Sequence, residues 1–134
     1  MANALYNPAR GSFAKKELDW LNDDIRVILI DTGAYTFSAA HQYLSSVPSG
    51  ARISTQALSN KSVTANGACD ADDTVYANVS GASIEACIIY KHTGVDSTAQ
   101  LIAYLDTVVG LPFTPTGLSV SLVWDSGVSA IFRL

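Results

Sequence analysis

The stretch Ile25-Arg26-Val27-Ile28-Leu29-Ile30 is almost continuously apolar and is bounded by Asp23-Asp24 on one side and Asp31-Thr32-Gly33 on the other. Six residues are too few for a typical helix, and a strand with one wet face would alternate apolar and polar side chains. The run therefore reads as a strand buried on both faces, at the centre of a sheet. Ser83 to Lys91 and Leu101 to Thr107 read as the strongest strands in the middle of the chain, joined by a polar loop that carries His92, Gly94 and Asp96.

Around this centre the chain is punctuated by turns. There are 10 Asp but only 2 Glu, with 15 Ser, 10 Thr and 9 Gly, a composition that favours strands and turns over long exposed helices. Arg52 to Leu58 and Ser62 to Thr64 flank Ser59-Asn60-Lys61 and read as a hairpin, and Thr74 to Val79 is a further short strand. At the C-terminus Leu118, Val120, Leu122 and Trp124 alternate with Ser119, Ser121 and Val123, which places four large apolar side chains on one face. Asp125-Ser126-Gly127 then offers a three-residue loop, and Val128 to Leu134 reads as the returning strand. Because that pattern runs to Leu134, deleting the last four residues should expose an edge and reduce solubility.

Helix is expected in two short places. Asn7 can cap and Pro8 sits at the favoured first position, predicting a helix over Pro8 to Lys16; Ala39, Ala40, Tyr43 and Leu44 have helical spacing within Ser38 to Ser45, before Pro48 and Gly50 stop it. The expected fold is mainly β: a single domain spanning 1–134, an antiparallel sandwich or barrel of about seven or eight short strands with one or two short helices near the N-terminus.

Charge and cysteine usage bound the function. Twelve acidic and eight basic side chains give a net charge of −4, and only 15% of residues are charged, against roughly 25% in ordinary soluble proteins. No basic cluster interleaved with aromatics is present to track nucleic-acid phosphates. No apolar run approaches the roughly 18 residues that span a bilayer, and the start carries no signal-peptide pattern. Cys69 and Cys87 lack a Cys-x-x-Cys spacing and are expected to stay reduced.

Chemistry-bearing motifs are sparse. Ile28-Leu29-Ile30-Asp31-Thr32-Gly33-Ala34 resembles the active-site loop of retroviral-type aspartic proteases, which implies a homodimer whose two Asp31 carboxyls share a proton. Val108-Val109-Gly110-Leu111 can be cast as that family's later hydrophobic-hydrophobic-Gly segment, but between Asn60 and Gly94 only Gly67 and Gly81 occur, well separated, where a Gly-rich flap is needed, so Asp31 and Gly33 read first as turn residues closing a strand. Asp70, Asp72 and Asp73 put three carboxylates within four residues but lack the glycine and closing glutamate of an EF-hand loop, so a solvated acidic loop is expected. His41 and His92 have no zinc-ligand spacing, and a His92, Asp96, Ser97 triad has no nucleophile-elbow context. No metal or cofactor is expected.

A broader similarity covers nearly the whole chain. Met1-Ala2-Asn3-Ala4-Leu5-Tyr6, the strand Ile25 to Thr32 with Tyr35-Thr36, and His41-Gln42-Tyr43-Leu44 followed by Val47-Pro48-Ser49-Gly50-Ala51-Arg52 carry its first half. Ile89-Tyr90-Lys91 with Leu101-Ile102-Ala103-Tyr104, and finally Trp124-Asp125-Ser126-Gly127, carry the rest. Together they resemble a family of small tailed-bacteriophage virion proteins. The resemblance implies a non-enzymatic structural protein, with a capsid decoration (cement) protein on the major capsid protein lattice as the most economical role and a tail or neck component as the alternative. It further implies a location on the capsid exterior after synthesis in the bacterial cytoplasm, and a small homo-oligomer such as a trimer. For contacts with such partners the sequence offers residues 1–7 as an N-terminal arm anchored by Leu5 and Tyr6, and the irregular loop Leu111, Pro112 and Phe113.

Overall fold

A computed structural model describes residues 3–124 and 130–133. Ten strands and one α-helix alternate along the described chain: β1 (Ala4–Leu5), α1 (Asn7–Ala14), β2 (Ile25–Ile30), β3 (Arg52–Ala57), β4 (Ser62–Val63), β5 (Ala68–Asp70), β6 (Thr74–Tyr76), β7 (Ala86–Lys91), β8 (Leu101–Leu105), β9 (Val120–Leu122) and β10 (Phe132–Arg133). The principal sheet has the order β1-β8-β7-β2-β3 and every pairing in it is antiparallel. Two small sheets, β10-β5-β4 and β6-β9, complete a sandwich-like, mainly β architecture.

β2 occupies the bounds its sequence signature indicates and lies between β7 and β3. Apart from Arg26 all of its residues are buried, as are all of β8 and all but the last residue of β7. Burying an Ile, Leu or Val side chain is worth roughly 1.5–3 kcal/mol, which explains why the interior strands lack polar alternation: both faces are covered over β2, β7 and β8. Tyr76 supplies part of one cover, its hydroxyl donating to the Val27 carbonyl at 2.9 Å. α1 supplies part of the cover as well, and Gln100 Nε2 ties it down by donating to Ser12 Oγ at 2.6 Å.

Several local expectations are corrected. The helix begins at Asn7, with Tyr6 in the capping position in extended backbone and no side-chain cap; Pro8 sits in its first turn as expected, and Lys16 at φ 66° ends the turn that follows. Ser38 to Ser45 is not an α-helix. Tyr43 bridges Gln100, Leu44 N–H donates to the Ala99 carbonyl and Leu101 N–H to the Gln42 carbonyl, so this segment is pulled out straight against the start of β8. Only a 3₁₀ turn, Leu44–Ser46, remains. Pairing across the molecule has overridden a weak local helical spacing.

The two expected hairpins also resolve differently. β3 pairs with β2, and β4 with β5. β9 pairs with β6 and β10 with β5, so the C-terminal strands stand in separate small sheets. The Asp125-Ser126-Gly127 loop, Val128 and Leu134 lie outside the described residues. Of the four alternating side chains, Val120, Leu122 and Trp124 are buried, whereas Leu118 is exposed because the strand starts only after the left-handed turn at Gly117.

Candidate functional site

The strand-ending triplet is ordinary turn chemistry. Gly33 N–H donates to Asp31 Oδ1 at 2.9 Å and Ala34 N–H to the Asp31 carbonyl at 3.1 Å, a side-chain-closed turn. The amide and hydroxyl of Thr32 both donate to Glu85 Oε1 at 3.0 Å. Burial pushes Glu85 upward, but the hydrogen bonds from Ser83 and Thr32 outweigh it and hold the carboxyl below its usual range. Glu85 thereby clasps the loop after β2 to the start of β7, a link with no local sequence signal.

The other polar groups are similarly spent on holding loops. Asp70 Oδ1 accepts from Ala71 N–H, Asp72 Oδ2 from Asn60 Nδ2 and Asp73 Oδ1 from Trp124 N–H, so the three carboxylates serve three different partners. No group of three metal-ligating side chains converges among the described residues. His92 and Asp96 share the lining of a cavity of about 140 Å³. Asp96, however, accepts from Arg52 Nη1 at 3.0 Å, and among the described residues no hydrogen bond links His92 to Asp96 or Ser97. His41 accepts or donates at Nδ1 to Tyr35, whose hydroxyl in turn meets that of Tyr6 at 2.9 Å. Burial raises the Tyr6 hydroxyl well above its ordinary pKa, and raises the Cys69 thiol to about 11. Cys87, fully buried, is raised as well by burial. Such thiols are poor nucleophiles.

The proposed contact residues fall into two groups. Leu5 and Tyr6 are 6% and 0% exposed: Leu5 sits on β1 against Ala103 of β8, and Tyr6 packs on Phe37 with ring centroids 5.3 Å apart. Asn3 Oδ1 accepts the amides of Asp106 and Thr107, completing the attachment. From Asn3 onward the expected contact arm is docked on its own domain, held by strand pairing and aromatic burial; Met1 and Ala2 lie outside the described residues. In the other group, Phe113 and Ile84 exchange main-chain hydrogen bonds at 2.8 Å, and Leu111 and Phe113 are half-buried against the core. Pro112 alone of this trio is exposed.

An outward-facing surface emerges elsewhere. Val75 is opposite Ser121 across β6 and β9, and Val109 bridges Val123. Directly paired residues share a face, as do residues two apart on one strand. Val75, Ser121, Val123 and Val109 therefore lie on one side, opposite the buried Thr74, Tyr76, Val120 and Leu122. The three valines are 54%, 42% and 67% exposed. Gly110 makes the Val109 bridge feasible: its φ is +110°, and a Cβ there would stand 2.4 Å from the Ser121 carbonyl oxygen. Val109 and Val123 also line a groove of about 610 Å³ with Leu5, Leu105, Trp124 and Phe132, to which Arg10 and Arg133 contribute the cationic side chains. Val123 was legible as an outward residue from the alternation; Val75 and Val109 needed the pairing.

The fold and surface define a sandwich-like β protein whose polar groups are chiefly occupied in holding loops. Comparison with protein-family models and with curated proteins finds no match to the chain.

Proposed function

We propose that the chain is a non-enzymatic structural protein of a tailed-bacteriophage virion, acting as a capsid decoration protein on the major capsid protein lattice. The single observation that carries the docking part of this reading is the uncharged valine face of β6 and β9, which runs on into the adjoining groove. Exposed apolar side chains that cluster, as opposed to lying scattered, are a feature of interaction surfaces. A lattice of equivalent sites lets modest contacts add up through multivalency, and a sheet covered on both faces over β2, β7 and β8 provides the rigid body such repetition needs. The sequence resemblance supplies the particle. The chain would work through shape and surface, on the capsid exterior, with no cofactor or chemical step.

A peptide map of purified particles tests this reading. The chain should be present in many copies, in a fixed ratio to the major capsid protein. Absence from particles overturns it, and recovery only with isolated tails or necks moves the protein to that alternative. Protease activity through Asp31 has a separate test: cleavage activity at low pH abolished by Asp31→Asn would replace the structural reading.

A further inference from the structure

Independently of the particle reading, we propose that the outer edge of β3 pairs with the same edge of a second copy of this chain, joining two principal sheets across a two-fold axis. β3 (Arg52–Ala57) ends the principal sheet and, among the described strands, pairs only with β2. Leu58 N–H donates to the Ile25 carbonyl at 2.9 Å. Main-chain groups alternate along an antiparallel strand, so Gln56 and Ser54 face β2 while Ala57 and Thr55 direct their N–H and C=O away from it. No described strand meets that outward row.

Natural sheet edges of this length are usually guarded by lysine, proline or a covering segment. Here Ile53-Ser54-Thr55-Gln56-Ala57 contains neither a charge nor a proline. The nearest charge, Arg52, is turned onto the Leu44 and Val47 carbonyls and Asp96. β6 does not fill the gap: the segment it belongs to runs back along β3, from the Asp72 N–H bond to Ser59 to the contact of Gly81 with Ile53, but Tyr76 reaches past β3 to Val27 of the next strand. β6 thus passes close to β3 without pairing with it, and the outward N–H and C=O groups of Thr55 and Ala57 have no main-chain partner among the described residues. Thr55, Gln56 and Ala57 are consecutive and all exposed, so neither face is sealed at that end.

Direction selects the occupant. Successive antiparallel pairings make β1 run the same way as β3. Head-to-tail addition would therefore set β3 parallel to a β1 of only two residues, whereas a two-fold axis normal to the sheet sets β3 antiparallel to itself. The second arrangement continues the existing pattern, with an isologous interface that closes at two copies. Centred on Thr55, it puts Thr55 opposite Thr55 and Ile53 opposite Ala57, with no like charges face to face. The product is a two-fold dimer, in place of the trimer that the family resemblance implies.

Sedimentation of the full chain across a wide concentration range should show a monomer–dimer equilibrium. Thr55→Lys, which faces two ammonium groups across the axis, should weaken dimerisation by about tenfold or more while leaving the circular dichroism spectrum unchanged. Thr55→Cys should let a short bifunctional maleimide crosslink two copies, since directly opposed Cβ atoms stand only about 4.5–5.5 Å apart. A wild-type chain that stays monomeric, a trimer, or a dimer that is unaffected by Thr55→Lys and fails to crosslink in the Thr55→Cys variant overturns the proposal.

Discussion

Arg52 is the residue whose replacement tests most sharply how the loops over the sheet are held. Its Nε and Nη2 donate to the Val47 carbonyl at 3.1 and 2.7 Å, Nη2 also to the Leu44 carbonyl at 2.8 Å, and Nη1 to Asp96 at 3.0 Å. The Leu44 carbonyl keeps a second donor, Val47 N–H, whereas among the described residues the Val47 carbonyl has no donor besides the guanidinium. Leaving a part-buried carbonyl unsatisfied costs about 1–3 kcal/mol, and the shared bond to Leu44 adds about 1. The ion pair adds little, because the Asp96 side chain is 56% exposed and such pairs are worth about 0–1 kcal/mol. Arg52→Ala should therefore cost about 2–4 kcal/mol, Arg52→Lys about 1–2 because one compact ammonium replaces three nitrogens and loses the separate Nε bond to Val47 and Nη1 bond to Asp96, and Asp96→Asn under about 1. With an unfolding entropy near 2.1 cal/mol/K per residue over 134 residues, a 3 kcal/mol loss lowers Tm by about 11 °C. Urea titration followed by circular dichroism, with an unchanged slope, measures the series. If Arg52→Lys matches the wild type, or Asp96→Asn falls as far as Arg52→Ala, the carbonyl-clamp reasoning is refuted.

Gly110→Ala should destabilise by at least about 2 kcal/mol, since a methyl group meets the Ser121 carbonyl oxygen in a left-handed backbone; a Tm within 2 °C of wild type, on the scale of roughly 4 °C per kcal/mol, would contradict this. Phe132→Ala removes a side chain packed edge-on against Trp20 at 5.1 Å and should cost about 3–5 kcal/mol, so a variant with unchanged urea midpoint would show that β10 is not part of the core. Alkali should weaken the fold: Cys69, Cys87 and Tyr76 have raised pKa values when folded, so the unfolded chain releases their protons first. Their contribution is complete below the ordinary thiol value, about 8.5, and declines as pH rises through 9 towards about 11, the folded value of Cys69. Urea midpoints at rising pH and the rate of thiol labelling by Ellman's reagent measure this, and rapid labelling of both thiols in the native state at pH 8 would be the contrary result.

How much of this was legible in the sequence follows from the range of each interaction. β2 was readable to the residue because burial on both faces leaves a continuous apolar run, and β7 and β8 were readable as strands within the wider ranges Ser83 to Lys91 and Leu101 to Thr107. The start of α1 was visible in Pro8. What could not be read were partners chosen across the molecule: β4 with β5, β9 with β6 and β10 with β5 are strands of two or three residues whose pairing no local pattern specifies. The same long-range choice unwound the Ser38 to Ser45 spacing and folded Leu5 and Tyr6 inward. Val75 and Val109 escaped notice because a lone exposed valine carries no signal until pairing sets it beside others.

Electron cryomicroscopy of the phage particle with the chain bound tests the central claim most directly. The account predicts repeated density on the outside of the capsid, with the face carrying Val75, Val109 and Val123 turned towards the major capsid protein. Density confined to the tail, none at all, or a bound chain whose valine face looks out to solvent would contradict it.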